Sequence, residues 1–135
     1  MDTLSPKQRS ARMRLVKSHD TKPELTLRRI VWSLGYRYRT NRRDVTGRPD
    51  IVFIRRKCAI FLHGCFWHRH DCASGRRVPK SRLNFWLKKF KRNVQRDAVV
   101  KAELEAAGWR TLVIWECELS GNARLERRIR KFLDA

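Results

Sequence analysis

The chain has 135 residues, of which 41% are hydrophobic, so it can bury the core of a single domain and is not globally disordered. Its net charge of +20 is far above the roughly 2–8 charges that suit a small domain, which indicates a polyanionic partner. No apolar run approaches the ~20 residues of a membrane-spanning helix and the polar N-terminus lacks a signal-peptide core, so we expect a cytoplasmic protein that binds nucleic acid and no membrane.

The first third of the chain predicts two helices. Ser5-Pro6 opens a basic segment with helical spacing to about Ser18, and residues 1–19 are expected to contact nucleic acid. Thr21-Lys22-Pro23-Glu24 is typical of a capping box, and Gly35 is expected to end the helix that follows it. The residues expected to be buried in this helix are Leu25, Leu27, Ile30, Val31 and Leu34.

Four apolar segments predict strands. They are residues 36–40, 51–54, 58–62 and 111–115, and the last is expected to be buried. A hairpin loop at residues 55–57 would pair Ile54 with Cys58. That register places Asp50 opposite Leu62, and His63 follows on the partner strand.

The second half predicts two further helices after an irregular loop at residues 64–80. Ser81 is expected to cap a helix that extends to about Ala107. Its apolar stripe is expected to comprise Leu83, Leu87, Phe90, Val94, Ala98 and, as its weakest member, Lys101. A basic helix at residues 122–133 closes the chain. These elements predict a single α/β domain, residues 1–135, with a small mixed β-sheet flanked by helices.

The Gly47-Arg48-Pro49-Asp50 segment ends in a carboxylate at the start of an apolar strand. Taken alone, Asp50 is best explained as a turn residue. In the predicted hairpin, however, the Asp50 carboxylate, the carbonyl of residue 62 and the His63 imidazole converge at one end. Mg²⁺ prefers oxygen ligands and keeps several waters, so the carboxylate and the carbonyl can anchor it beside a substrate phosphate.

Three histidines and two cysteines lie within residues 63–72, a density that packing alone rarely explains. Cys65, His70 and Cys72 can supply three ligands of a tetrahedral zinc site. Cys117, which follows the last predicted strand, is the natural fourth ligand. The sequence therefore predicts a structural zinc site that ties the last strand to the irregular loop.

A Pro-Asp pair before a strand, followed by an antiparallel partner strand, resembles the restriction-endonuclease-like fold. Members of that fold usually carry an acidic residue and a lysine on the second strand, whereas residues 59–63 read Ala-Ile-Phe-Leu-His. The chain departs from the usual pattern, so its proton-transfer group has to come from another segment.

A more specific resemblance covers essentially the whole chain. Its motifs are Gly47-Arg48-Pro49-Asp50, His63-Gly64-Cys65-Phe66-Trp67-His68, His70-x-Cys72, Phe85-Trp86, Asn93, Arg96-Asp97, Gly108-Trp109 and Trp115-Glu116-Cys117. These motifs resemble the very-short-patch repair (Vsr) DNA mismatch endonucleases. The resemblance implies nicking of one strand 5′ to the T of a T:G mismatch that arises when 5-methylcytosine deaminates, which starts very-short-patch repair.

The resemblance also implies a role for each residue of the site. Mg²⁺ is held by Asp50 and by the backbone carbonyl of residue 62, which is Leu62 here although Thr is expected there, and His68 is the general base. The residues implied to order water around the metal are Glu24, His63 and Asp97. The implied zinc ligands are Cys65, His70, Cys72 and Cys117. The implied DNA contacts are Met13, Phe66, Trp67, Trp86 and Asn93.

Phe66, Trp67 and Trp86 are implied to form an aromatic wedge, but core packing is an alternative explanation. Trp86 lies near the predicted apolar stripe of its helix and fits the core as well as the wedge. Phe66 and Trp67 are neighbours in a polar loop, where they do not easily share one buried pocket. Trp109 and Trp115 are expected to lie in the core.

The implied partners are double-stranded DNA with a T:G mismatch, a functionally linked cytosine-5 DNA methyltransferase and, as candidates, mismatch-repair proteins. The protein is expected to be a monomer associated with the bacterial nucleoid. Two alternatives stay open: a zinc-stabilised DNA-binding module without catalysis, and a restriction-type endonuclease that cuts matched DNA. The constellation of Asp50, His63 and His68 favours catalysis, and the wedge aromatics favour the mismatch.

Overall fold

The computed structural model describes residues 21–135, so the predictions for the helix at residues 5–18 and for Met13 lie outside the described residues. The elements in chain order are α1 Lys22–Ser33, β1 Ile51–Phe53, β2 Cys58–His63, α2 Leu83–Ala106, β3 Arg110–Trp115, a 3₁₀ helix Glu116–Ser120 and α3 Asn122–Leu133. This order agrees with the helix, hairpin, helix, strand and helix predicted from the sequence. Within residues 21–135, no helix is both long and apolar enough to cross a membrane.

A three-stranded sheet in the order β1-β2-β3 lies at the centre of the described part of the chain. β1 and β2 are antiparallel, whereas β2 and β3 are parallel, which confirms the predicted α/β class with a small mixed sheet. Parallel neighbours need a long crossover, and α2 supplies it. The register pairs His63 with Trp115, so β2 and β3 end side by side at one edge of the sheet.

The hairpin register differs by one residue from the prediction. The pairing ends with Phe53 opposite Cys58, and Ile54 lies in the turn instead of pairing with Cys58. One additional turn residue moves every β1 residue by one position along β2. Asp50 nevertheless contacts Leu62, because the Leu62 N–H donates a 2.6 Å hydrogen bond to Asp50 Oδ2.

Residues 36–40 lie beside β1 without forming a strand, contrary to the prediction. Arg39 makes one isolated antiparallel bridge to Val52, and the rest of this segment joins no strand. Its aromatic side chains pack instead. Tyr38 OH donates to the α1 backbone at 3.0 Å, and the Tyr38 ring meets Phe53 edge to face at 6.4 Å.

Helix α1 begins as predicted, whereas α2 does not. Thr21 Oγ1 accepts a 3.4 Å hydrogen bond from Glu24 N, which confirms the predicted start of α1. Helix α2 begins at Leu83, and Ser81 does not cap it. Arg82 takes the cap position in the left-handed region, at φ 54°, and makes no side-chain cap hydrogen bond.

Hydrophobic clusters cover both faces of the sheet. On the face covered by α1 and α3, the buried residues are Leu27, Val31, Ile51, Phe53, Cys58, Ile60, Ile114, Leu125, Ile129 and Leu133. On the face covered by α2, the buried residues are Val45, Val52, Ala59 and Leu104, with Phe61, Val100 and Trp109 packed against them. Alternate residues of β2 therefore face opposite helices. The cluster beneath α2 is the smaller one, which leaves room there for a cavity.

The buried face of α2 is rotated relative to the predicted stripe. Of the predicted residues, Phe90 is buried, whereas Leu83, Leu87, Val94, Ala98 and Lys101 are exposed. The buried and half-buried residues, at spacings of three and four, are Trp86, Phe90, Asn93, Asp97, Val100 and Leu104. Hydrophobicity alone could not identify this face, because Asn93 and Asp97 are half-buried through hydrogen bonds to the loop after β2.

Two smaller burial predictions are also wrong. Leu25 is 39% exposed, although the other residues predicted for the buried side of α1 are buried or half-buried. β3 is not a buried strand, since within it Ile114 alone is fully covered. The reason is that Thr111, Val113 and Trp115 of β3 line a cavity beneath α2.

Candidate active site and metal centre

A cavity of about 710 Å³ lies between α2 and the sheet. The predicted site residues that line it are Asp50, Leu62, His63, His68, His70, Asn93 and Asp97. The cations that line it are Arg48, Arg69, Arg96 and Lys101. The cavity thus combines carboxylates and imidazoles with a basic lining, which suits an anionic group such as a phosphate.

His68 is paired with a carboxylate inside this cavity. Its Nδ1 lies 2.6 Å from Asp97 Oδ2, and both side chains are half-buried. A carboxylate accepts the proton on Nδ1, so the pairing selects the tautomer whose Nε2 carries a free lone pair. His68 therefore has the arrangement of a general base held by an acidic residue.

His63 lies directly against His68. The two rings are parallel, with an interplanar angle of 7° and centroids 4.0 Å apart, and His63 Nδ1 lies 3.8 Å from Asp97 Oδ2. Burial lowers the pKa of His63 to about 4, and the nearby His68 adds to the decrease. His63 is therefore neutral near pH 7, which lets the two rings stack without charge repulsion. We call His63 and His68 the imidazole pair.

Asp50 is a largely buried carboxylate, and Glu24 is near it. Burial raises the pKa of Asp50 to about 6, the Leu62 N–H opposes that rise, and the negative charge of Glu24 adds to it. Glu24 also forms a 3.4 Å ion pair with Arg28. A divalent cation with oxygen ligands would offset both the burial of Asp50 and the like charge of Glu24. These residues therefore fit a Mg²⁺ site.

A second group of metal-ligating side chains lies at the end of β3. The structure brings together Cys65, His70, Cys72 and Cys117, whose ligand atoms all lie within 4.8 Å of one another. Cys117 Sγ lies 3.5 Å from His70 Nδ1. We call this group the cysteine–histidine cluster. It joins the loop after β2 to the 3₁₀ helix after β3, as the sequence predicts.

The donor set of the cysteine–histidine cluster fits zinc. Burial raises the pKa of Cys65 to about 12, whereas a hydrogen bond from the Gly75 N–H lowers the pKa of Cys72 to about 7. A dication would offset the cost of ionising the buried Cys65 thiol, and three sulfurs with one imidazole are a common zinc set. Gly75 cannot carry a side chain, because a β carbon there would overlap the His70 carbonyl oxygen.

Phe66, Trp67 and Trp86 form one aromatic group. Phe66 lies 5.1 Å from Trp67 and 6.2 Å from Trp86, and Trp67 lies 5.6 Å from Trp86, measured between ring centroids. Phe66 also packs on the buried Phe90 at 5.1 Å, whereas Trp67 is 41% exposed. Lys89 Nζ lies 5.1 Å from the centroid of the Trp67 ring. This group thus combines rings packed on the core with one exposed ring, that of Trp67.

Helix α2 holds the loop after β2 at two points one turn apart. Asn93 Nδ2 donates to the Trp67 backbone carbonyl at 3.1 Å, and Asp97 accepts from His68. Asn93 was expected to contact DNA, and here its amide binds the loop that carries the aromatic group. The same helix therefore positions both Trp67 and His68.

Trp115 is a site residue that the sequence did not predict. It is half-buried and not in the core, because its ring stacks on His70 with centroids 4.3 Å apart and an interplanar angle of 17°. The parallel pairing of His63 with Trp115 places it at the edge of the sheet where β2 ends. Only the register between β2 and β3 could have revealed this position, and the sequence alone does not give that register.

An imidazole paired with a carboxylate, close to a buried acidic residue in a basic cavity, fits a hydrolase that acts on phosphate esters. The net charge of +20 indicates that the ester belongs to a nucleic acid. The geometry of the site and the charge of the chain therefore define the class of protein as a nuclease.

Comparison with known proteins identifies the family. A family model described as DNA mismatch endonuclease Vsr matches residues 1–74. The type II nicking enzyme V.XorIIP of Xanthomonas oryzae pv. oryzae is 48% identical over 133 residues, which cover 98% of this chain and 97% of the relative. The type II nicking enzyme V.NmeAIP of Neisseria meningitidis is 41% identical over 138 residues, which cover 99% and 98%. The DNA mismatch endonuclease Vsr of Escherichia coli is 41% identical over 117 residues, which cover 87% and 74%.

The chain belongs to the Vsr family of DNA mismatch endonucleases. It is therefore a DNA endonuclease, a hydrolase whose substrate is DNA. The alternative of a DNA-binding module without catalysis loses its support. The sequence resemblance to this family is confirmed.

Proposed function

We propose that this endonuclease nicks one strand 5′ to the T of a T:G mismatch and so starts very-short-patch repair. The observation that carries the proposal is that one loop holds both the exposed Trp67 and the carboxylate-paired His68, which are adjacent in sequence. A side chain able to stack on a base is thus fixed beside a general base. The names of two similar proteins, type II nicking enzymes, support cleavage of a single strand.

Mismatch recognition follows from the cost of opening the duplex. Unstacking a base step costs a few kcal/mol, whereas stacking a base on an aromatic side chain returns about 1–3 kcal/mol. A T:G pair is easier to open than a Watson–Crick pair, so the balance favours entry at the mismatch. Trp67 is the exposed member of the wedge, and Phe66 and Trp86 support it from the α2 side. Lys89 beside the Trp67 ring is placed to meet the DNA backbone.

His68 acts as the general base in this proposal. Its Nε2 takes the proton from the attacking water, while Asp97 holds Nδ1 and stabilises the imidazolium that forms. His63 is neutral near pH 7 and keeps the His68 ring in place by stacking. Three residues, Glu24, His63 and Asp97, order the water near the scissile phosphate. The arginines that line the cavity would attract that phosphate.

Asp50 and the carbonyl of Leu62 would hold Mg²⁺. The ion, when bound, supplies Lewis-acid stabilisation of the charge that develops on the phosphate. A carbonyl ligand does not depend on its own side chain, so Leu at position 62 is compatible with this role. The Leu62 N–H already binds Asp50 Oδ2 and thereby fixes the direction of the carboxylate.

Zinc in the cysteine–histidine cluster would be structural. All four ligands come from the protein, which is the arrangement of a structural and not a catalytic zinc site. The ion would fix the loop that carries His68 and Trp67 to the segment that carries Cys117. We further propose that the domain is a restriction-endonuclease-like monomer of residues 1–135, in which residues 1–19 and Met13 contact DNA. A cytosine-5 methyltransferase would be its functional partner, and mismatch-repair proteins remain candidates.

A nicking assay tests this proposal. Duplexes that differ only in a T:G or a matched pair are incubated with the protein in Mg²⁺ and in EDTA, and products of each strand are resolved. We expect a nick in the T strand alone, only in the mismatched duplex and only with Mg²⁺. Equal cleavage of the matched duplex would instead support the restriction-type endonuclease.

A further inference from the structure

We propose that Trp115 is a positioning residue, which fixes the orientation of the imidazole pair relative to the cysteine–histidine cluster. The proposal rests on the proposed function, because it assigns the imidazole pair to catalysis. It adds a link between the imidazole pair and the cysteine–histidine cluster. The sequence placed Trp115 in the core, and its ring contacts assign it a different role.

The Trp115 ring contacts both groups. It stacks on His70 of the cysteine–histidine cluster, with centroids 4.3 Å apart. It meets His63 edge to face at 5.2 Å and 75°, and His68 at 6.4 Å and 68°. The indole therefore forms a continuous row of rings from a proposed zinc ligand to the proposed general base.

The backbone of Trp115 is fixed on both sides. Its strand pairing with His63 holds it beside β2, and its N–H donates to Glu118 Oε1 at 3.0 Å. Glu118 in turn is paired with Arg128 of α3. A ring on such a fixed backbone can set the position of rings in a loop, whereas the reverse is harder. Trp115 thus fixes the position of the loop that carries His68 relative to the sheet.

In this arrangement the proposed zinc site takes no part in the reaction itself but helps to position the residues that do. The cluster fixes the His70 ring, the Trp115 ring rests on it, and the imidazole pair rests on Trp115. A general base has to lie within hydrogen-bond reach of the water it deprotonates. Displacement of a reacting group by about 1 Å costs on the order of 10²-fold in rate. We therefore expect the single-turnover rate to depend on the Trp115 ring.

Substitution of Trp115 tests the proposal. Trp115→Phe keeps an aromatic ring, and Trp115→Leu and Trp115→Met keep apolar volume without one. The matched control is Trp109→Leu, because Trp109 lies immediately before β3 and packs on the hydrophobic cluster beneath α2, away from the imidazole pair. Zinc content, affinity for the T:G duplex, the single-turnover nicking rate and the ¹⁵N signals of the His68 ring are measured for each variant.

We expect Trp115→Leu to keep zinc and T:G affinity but to lose about 10- to 100-fold in rate. Its His68 Nδ1–H signal should also shift or broaden, because the ring is no longer held in one orientation. Trp115→Phe should recover most of the rate, and Trp109→Leu should lose stability without loss of rate.

A Trp115→Leu protein with the parental rate and the parental His68 signals would overturn the proposal. So would loss of zinc from the Leu, Met and Phe variants alike, because the ring would then serve the cluster alone. The His68 signals are measured without substrate. A parent protein that fails to nick T:G duplexes would therefore refute the proposed function, whereas the His68 signals would still test the positioning role of Trp115.

Discussion

His68 Nδ1 lies 2.6 Å from Asp97 Oδ2, and this contact joins the loop after β2 to the middle of α2. It explains why a long helix with a polar residue on its buried face is stable here. Asp97 is half-buried because the imidazole satisfies its carboxylate, and His68 is oriented because the helix holds that carboxylate. Fold and proposed catalysis depend on the same hydrogen bond.

The first prediction concerns the general base. His68→Ala should keep zinc and T:G affinity and lose about 10²- to 10⁴-fold in nicking rate, since that is the usual contribution of general-base catalysis. Asp97→Asn should lose less, because the imidazole remains but its tautomer is no longer fixed. Single-turnover kinetics with T:G duplex measure both. A His68→Ala protein that nicks at nearly the parental rate would end the assignment.

The second prediction concerns the pH dependence of stability without Mg²⁺. The pKa of Asp50 is raised by burial from 3.8 to about 6, so the folded protein disfavours its charged form. The free energy of unfolding therefore falls as pH rises from about 4 through about 6, by on the order of 2–3 kcal/mol in total. Asp50→Asn keeps an acceptor for the Leu62 N–H and removes this cost.

Urea unfolding of the zinc-loaded proteins in Mg²⁺-free buffer measures the difference. Asp50→Asn should be more stable than the parent at pH 7.5, and its advantage should be roughly half as large at pH 5. Added Mg²⁺ should stabilise the parent and not the variant. An advantage that does not change with pH would show that Asp50 titrates normally in the fold.

The third prediction concerns the cysteine–histidine cluster. Cys117→Ala should lower zinc affinity and melting temperature sharply, because it removes the one ligand that comes from the end of β3. Cys58→Ala is the matched control, since Cys58 is fully buried in the core beneath α1 and α3 and outside the cluster. The control should lose stability and keep its zinc. Elemental analysis that finds no zinc in the parent would contradict the assignment.

The fourth prediction concerns the aromatic group. Trp67→Ala should weaken binding to the T:G duplex about 5- to 150-fold, which corresponds to the stacking of one base. Binding to the matched duplex should change little, because the charges remain. Lys89→Ala, which removes a cation beside the same ring, should weaken both duplexes alike and reduce the salt dependence. Equal losses for Trp67→Ala on both duplexes would assign that ring to packing.

The sequence was sufficient for the order of α1, the hairpin, α2, β3 and α3, and for the four residues of the cysteine–histidine cluster, but not for the predicted strand at residues 36–40. Local signals carry that information: the capping at Thr21, the apolar strands and the short spacing from Cys65 to Cys72. It was not sufficient for the hairpin register, because one additional turn residue is invisible in an apolar run. Nor did it give the buried face of α2, since Asn93 and Asp97 look like surface residues until their partners in the loop are known.

The segment from His63, the last residue of β2, to Cys72 contacts two different sets of partners. His63 and His68 face Asp97, whereas Cys65, His70 and Cys72 face Cys117. A single inserted or deleted residue between His63 and Cys72 would put both groups out of phase at once. This stretch should therefore tolerate substitution of the exposed Asp71 far better than any change in length, and lineages of the protein should keep the same residue count here.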